Sequence, residues 1–288
     1  MARNNEMRTG ATASGDSTGA VSEAVANASP LSFVVPTEFV ELPSKGRYYA
    51  EGHPLCDQEV VEIRHMTAKE EDILTSASLL KKGLAIERLI SSILVDKEIN
   101  PDTLLVGDRN AILLQARIHA YTSAYAITVN CPSCGEASEH TFDLSECGLN
   151  YGEDLGLLSE DITGPGPDNM FDIRLPVTKV VAKVRLLNAG LEKSIAKEQT
   201  RRQKMKLPEA PVTFQLKQII YSLNDETDRS QVNGFIDSMP TADTHYLRAS
   251  YNKLVPNVDM IQSFTCPSCD KESQLEVPFT AEFFWPNR

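Results

Sequence analysis

No stretch of the sequence approaches the roughly 18 consecutive apolar residues that span a bilayer. The start, Met1-Ala2-Arg3-Asn4-Asn5-Glu6, lacks the apolar run of a secretory signal, so the chain is expected to stay in the cytosol. Walker loops, GxGxxG turns and HExxH helices are all missing, which excludes the common phosphate-cradling and metalloprotease signatures. Positive charge is in deficit: 28 Lys and Arg stand against 40 Asp and Glu, a net charge of -12. That balance argues against broad binding to nucleic acid or anionic membrane. Histidine is sparse as well. His53, His65, His119, His140 and His245 lie far apart in sequence, with no neighbouring His and no conspicuous carboxylate pair, a pattern of structural or surface residues rather than catalytic ones.

What remains is an ordinary globular composition, 41% hydrophobic and 24% charged over 288 residues, enough to bury a core without disulfides. Residues 1–31 are the exception. They are rich in Ala, Ser, Gly, Thr and Asn and read as a flexible tail, since they hold too little apolar surface to offset the entropy of ordering. Within them Gly15-Asp16-Ser17-Thr18-Gly19 matches the GxSxG pattern of serine hydrolases. That pattern works only on a turn between strand and helix, and nothing apolar flanks it, so the match is a coincidence of composition.

From Phe33 onward the pattern predicts an α+β fold. Val60-Val61-Glu62-Ile63 reads as a strand, and Thr67 with Glu70 as a capping box ahead of a helix through Ile73, Leu74, Ala77 and Leu80 that Gly83 ends. A second helix places Ile86, Leu89, Ile90 and Ile93 on one stripe; a third is expected to start at an Asp108 N-cap and run to Tyr121. Tyr125 to Val129 and Ser138 to Leu144 then form a hairpin. Residues 151–170, rich in Gly, Pro and acidic side chains, read as a linker between a helical subdomain (32–150) and a second α+β subdomain (171–288). In the latter, Phe171–Leu175 and Val180–Val184 are extended and Leu191–Lys206 is a basic helix. Further helices are expected over Thr213–Leu223 and Thr241–Leu254, and a final hairpin from Met260 to Phe279.

Both hairpins carry the same tip, Cys-Pro-Ser-Cys, at Cys131–Cys134 and Cys266–Cys269. Zinc takes four ligands at tetrahedral corners, and each CxxC turn offers two thiolates, so two turns make one complete zinc-ribbon-like site. Cys131, Cys134, Cys266 and Cys269 are therefore the expected ligands of one structural zinc per chain, a clasp between the two halves. Two other readings use the same residues: a local site of Cys131, Cys134, His140 and Cys147, and a thiol oxidoreductase of the CPxC type, in which the first Cys sits at a helix N-terminus. Cys56 and Cys147 otherwise read as buried small side chains. The basic helix with Lys193, Lys197, Arg201, Arg202, Lys204 and Lys206 keeps a nucleic-acid-binding adaptor open as a further alternative, against a solvated helix face.

Several strings occurring in order carry a resemblance. They are Leu42-Pro43-Ser44-Lys45-Gly46 with Tyr48-Tyr49, Met66 to Thr75, Leu79-Leu80-Lys81-Lys82-Gly83, and Leu104 to Asn110. Over roughly residues 33–145 the chain resembles the baseplate hub and hub-assembly proteins of T4-like contractile-tailed bacteriophages. The resemblance implies a non-enzymatic assembly factor or hub component, with other phage tail proteins as partners, in the host cytoplasm or in the virion.

Overall fold

The chain divides after Val35, and the fold begins where the sequence turns β-branched and aromatic. The computed structural model describes residues 35–152, 159–278 and 281–284. The expected tail over 1–31, its GxSxG match and positions 153–158 of the expected linker lie outside the described residues. Strands β1 (Thr37–Glu41) and β2 (Val60–Arg64) pair antiparallel with Val40 opposite Val61, which sends Val40, Val61 and Ile63 into the core and leaves Phe39 exposed. The chain between them turns sharply at Gly46 (φ 71°), where an added Cβ would fall 2.3 Å from the Gln58 amide nitrogen.

Helix α1 (Ala68–Thr75) starts at the predicted capping box, with Glu70 Oε2 accepting from the Thr67 amide at 2.9 Å and hydroxyl at 2.7 Å. The helix does not run on to Gly83. It breaks at Ser76, after Thr75 has turned its hydroxyl back onto the carbonyls of Glu71 and Asp72, a local competition with the helical ladder. A short α2 (Ala77–Lys82) resumes and ends at Gly83 in the left-handed conformation. Helix α3 (Ala85–Ile93) buries Leu89, Ile90 and Ile93 as its spacing requires.

Helix α4 (Val106–Ala120) corrects one expectation. Asp108 is not its N-cap but lies inside the first turn, fully buried, and its carboxylate reaches across the fold. It accepts from the Ser44 amide (2.9 Å), the Ser44 hydroxyl (2.6 Å) and the Tyr49 hydroxyl (2.8 Å). Burial pushes its pKa up against those hydrogen bonds, and burial together with the Asp108 charge pushes the Tyr49 phenol up as well. Next to it, Gly107 packs so closely on residue 256 that a Cβ would lie 2.1 Å from the Pro256 carbonyl oxygen.

The first hairpin follows as β3 (Ala124–Asn130) and β4 (Ala137–Asp143), then the short β5 (Gly148–Asn150). Strands β6 (Ile162–Thr163), β7 (Met170–Arg174) and β8 (Val181–Arg185) build an antiparallel sheet in that order. Helices α5 (Ala189–Lys204) and α6 (Pro211–Ile219) come next. The helix expected over Thr213–Leu223 stops early, because Ile220-Tyr221-Ser222-Leu223 joins the sheet beside β8 as β9 (Ile220–Leu223). Helix α7 (Arg229–Ser238), capped by Asp228, was not anticipated, although Val232 and Ile236 recur at helical spacing. Helix α8 (Thr241–Leu254) matches its predicted span; Asp243 in its first turn accepts from the Val177 and Thr178 amides (2.7 and 3.0 Å). Last come β10 (Asn257–Asp259), paired with β5, and the second hairpin, β11 (Ile261–Thr265) with β12 (Glu272–Glu276). One buried apolar cluster includes Leu42, Leu89 and Ile112 together with Phe171, Val184 and Leu247.

Replacing Asp108 by Ala would strand three buried donors, so equilibrium denaturation is expected to show a loss of about 3 kcal/mol. Glu70 yields a pH-dependent expectation. Burial pushes its pKa up, but hydrogen bonds from Arg64, Ser92 and Thr67 outweigh burial and hold it at about 2, below the ordinary 4.5. Its stabilisation is therefore complete above the ordinary value and lost as pH falls towards 2. Glu70→Gln should cost about 2 kcal/mol at pH 7, and the gap from the parent should narrow steadily between pH 4.5 and 2 in denaturant titrations.

Candidate metal centre

Each cysteine pair sits in the connection of a two-stranded hairpin, and the two connections are built alike. In the first, the Cys131 amide donates to the Glu136 carbonyl (2.9 Å) and the Gly135 amide to the Cys131 carbonyl (2.9 Å). In the second, Cys266 donates to Lys271 (3.1 Å) and Asp270 to Cys266 (3.0 Å). Gly135 and Asp270 both take positive φ, 76° and 53°, the conformation that folds the chain back after two cysteines. In both turns the first cysteine is buried and the second exposed.

Two features set the turns side by side. Strands β5 and β10, one after the first hairpin and the other before the second, pair with Leu149 opposite Val258. Gln262 on β11 then acts as an extra backbone unit: its amide nitrogen donates to the Asp143 carbonyl (2.6 Å) and its oxygen accepts from the Asp143 amide (3.2 Å). Between the hairpins the His140 ring meets Phe142 and Phe264 edge to face, at 4.6 and 5.1 Å, and Phe264 is buried with Cys131 and Cys266 against Val129 and Leu275.

The four sulfur atoms consequently converge, all within 4.8 Å of one another. Cys131 Sγ lies 3.8 Å from Cys269 Sγ, and Cys134 Sγ lies 3.7 Å from Cys266 Sγ. A tetrahedral ion with metal–sulfur bonds of about 2.3 Å has sulfur–sulfur edges of about 3.8 Å, whereas a disulfide is about 2.05 Å long. The spacing fits the first and excludes the second.

Electrostatics divides the thiols unequally. The Cys134 amide, with a further N–H from Ser133 (3.4 Å), holds the Cys131 thiol down at about 6. At Cys269 the Lys271 amide lowers the pKa, but partial desolvation beside the cluster and the three neighbouring sulfurs together overcome it and push the thiol up to about 12. Four sulfurs this close cannot all carry negative charge without a cation among them.

The structure brings together all four cysteines named from the sequence. The local set is not assembled: His140 packs against aromatic rings, and Cys147 takes the Gln262 amide at 3.4 Å, its thiol pushed up by burial. The turns return into β4 and β12 rather than opening a helix, as a thioredoxin-like site would require. On the basic helix, Lys193 pairs with Glu87 and Arg201 with Glu198, while Arg202 lies over the Phe214 ring at 5.1 Å. Sequence reading missed Gln262. A polar residue at an inward-facing strand position, between Met260 and Phe264, was the available signal. Gln262→Ala should speed hydrogen exchange at the Asp143 amide and cost about 1–2 kcal/mol, with the other β3–β4 amides less affected.

A family model described as T4 bacteriophage base plate protein matches residues 35–285. No curated protein and no solved structure matches the chain.

Proposed function

Because the chain belongs to the T4 bacteriophage base plate protein family, we propose that it is a zinc-stabilised, non-enzymatic protein that builds the hub of the tail baseplate. The observation that carries this reading is the extent of the matched region, which takes in both cysteine turns and every described residue. Its partners are then other phage tail proteins, met in the host cell and in the virion. Among the described residues no helix is long and apolar enough to cross a membrane.

Zinc is supported by the chemistry of the donors. Four thiolates at tetrahedral spacing suit a borderline-soft ion of fixed charge, and a site with four protein ligands has no position left for substrate. Such an ion acts on folding rather than on a reaction. It would join residues 131–134 to residues 266–269 with a free energy on the order of 10 kcal/mol.

Native mass spectrometry of freshly purified full-length protein is expected to find one zinc on the four sulfurs, lost in Cys131→Ser and in Cys266→Ser alike. Chelation should lower the melting temperature by about 10 °C or more; a melt indifferent to chelator would remove zinc from the account. For the assembly role, cells infected by phage lacking this chain should accumulate incomplete baseplates in sedimentation and electron microscopy. Complete baseplates at parental yield would overturn the role. Quantitative proteomics of purified particles against lysate then separates a resident hub component from a factor that departs.

A further inference from the structure

Three residues far apart in sequence meet where β1, β2 and the end of α4 come together. Glu38 lies on β1 opposite Ile63. Two residues beyond Ile63, His65 leaves β2 with its amide held by the Pro36 carbonyl at 2.9 Å, and the last turn of α4 brings in His119. The two imidazole rings lie face to face, centroids 5.1 Å apart and planes within 9°. His119 Nδ1 contacts Glu38 Oε1, yet that buried oxygen takes no hydrogen bond of proper geometry and keeps acceptor capacity in hand. One potential ligand atom from each residue lies within 4.8 Å of the other two.

We propose that Glu38, His65 and His119 form a second metal site, for a divalent transition-metal ion, independent of the four cysteines. Two imidazoles and one carboxylate suit zinc, nickel or cobalt better than calcium or magnesium, which prefer all-oxygen shells. Ligand atoms about 2.1 Å from an ion lie about 3–3.5 Å apart, a spacing that falls inside the 4.8 Å bounding the three groups. Ring nitrogens bind in the ring plane, and parallel planes cannot both contain one ion, so one imidazole must turn. His119 can do so: its side chain is 33% exposed, and the torsion that turns a histidine ring is broad and soft. Three protein ligands leave at least one coordination position for water or for a side chain of a neighbouring tail protein.

The test uses tag-free, full-length protein carrying one equivalent of zinc on the four sulfurs, titrated with Ni²⁺ by isothermal calorimetry. Parent protein should bind Ni²⁺ at least tenfold more tightly than either H65Q/H119Q or E38Q, while H245Q, which alters an exposed histidine elsewhere, should match the parent. Equal Ni²⁺ affinity in parent and H65Q/H119Q would overturn the site. A readout on the parent protein alone guards against a variant that misfolds: bound Ni²⁺ should broaden the imidazole proton signals of His65 and His119 first, and broadening that spares this pair would also overturn it. Neither cysteine turn is altered in any of these proteins, so both outcomes leave the zinc on the four sulfurs to be judged separately.

Discussion

A buried carboxylate holds this fold in register. Asp108 is shut off from bulk solvent, and its three donors are supplied by protein. All three come from the turning segment after β1: the Ser44 amide, the Ser44 hydroxyl and the Tyr49 hydroxyl. The Tyr49 hydroxyl also accepts the Leu105 amide (3.1 Å), one residue before α4 begins. The loop and the helix start are thereby fixed to each other. Gly107 brings α4 against the chain at Pro256, just before β10. Since β10 pairs with β5, the position of the second cysteine hairpin traces back, through α4, to the Asp108 contacts.

The same chain of contacts explains why the family-like strings are spelled as they are. Leu42-Pro43-Ser44-Lys45-Gly46 and Leu104 to Asn110 are distant in sequence, yet they are the two sides of one hydrogen-bonded junction. Reading each alone suggests a turn and a helix cap. The junction requires Ser, Tyr and Asp for their mutual geometry, and Gly where backbone passes backbone.

Much of the architecture was legible because it rests on local pattern. The stripe of α3, the span of α8 and both cysteine hairpins follow from periodicity and turn chemistry. Two of the failures share a cause: the strand β9 and the role of Asp108 are decided by partners far away in sequence, which no window of residues contains. The break at Ser76 is local, a Thr75 hydroxyl competing with the helical ladder that apolar spacing does not register. The four cysteines could be named because a repeated tetrapeptide announces itself. The meeting of Glu38, His65 and His119 could not, because nothing about three isolated residues on β1, after β2 and on α4 signals that the fold will bring them together.

The two cysteine turns are also separated in time. At bacterial synthesis rates the second turn leaves the ribosome on the order of 10 s after the first. Until then Cys131 and Cys134 lack the two sulfurs they meet in the folded chain, and Val129 lacks the Phe264 and Leu275 surfaces it packs beside. A chain cut short anywhere before Cys266 can never close the cluster. Convergence of the four sulfurs thus acts as a mark of completed translation, and a chain without it keeps reactive thiols and apolar surface on display.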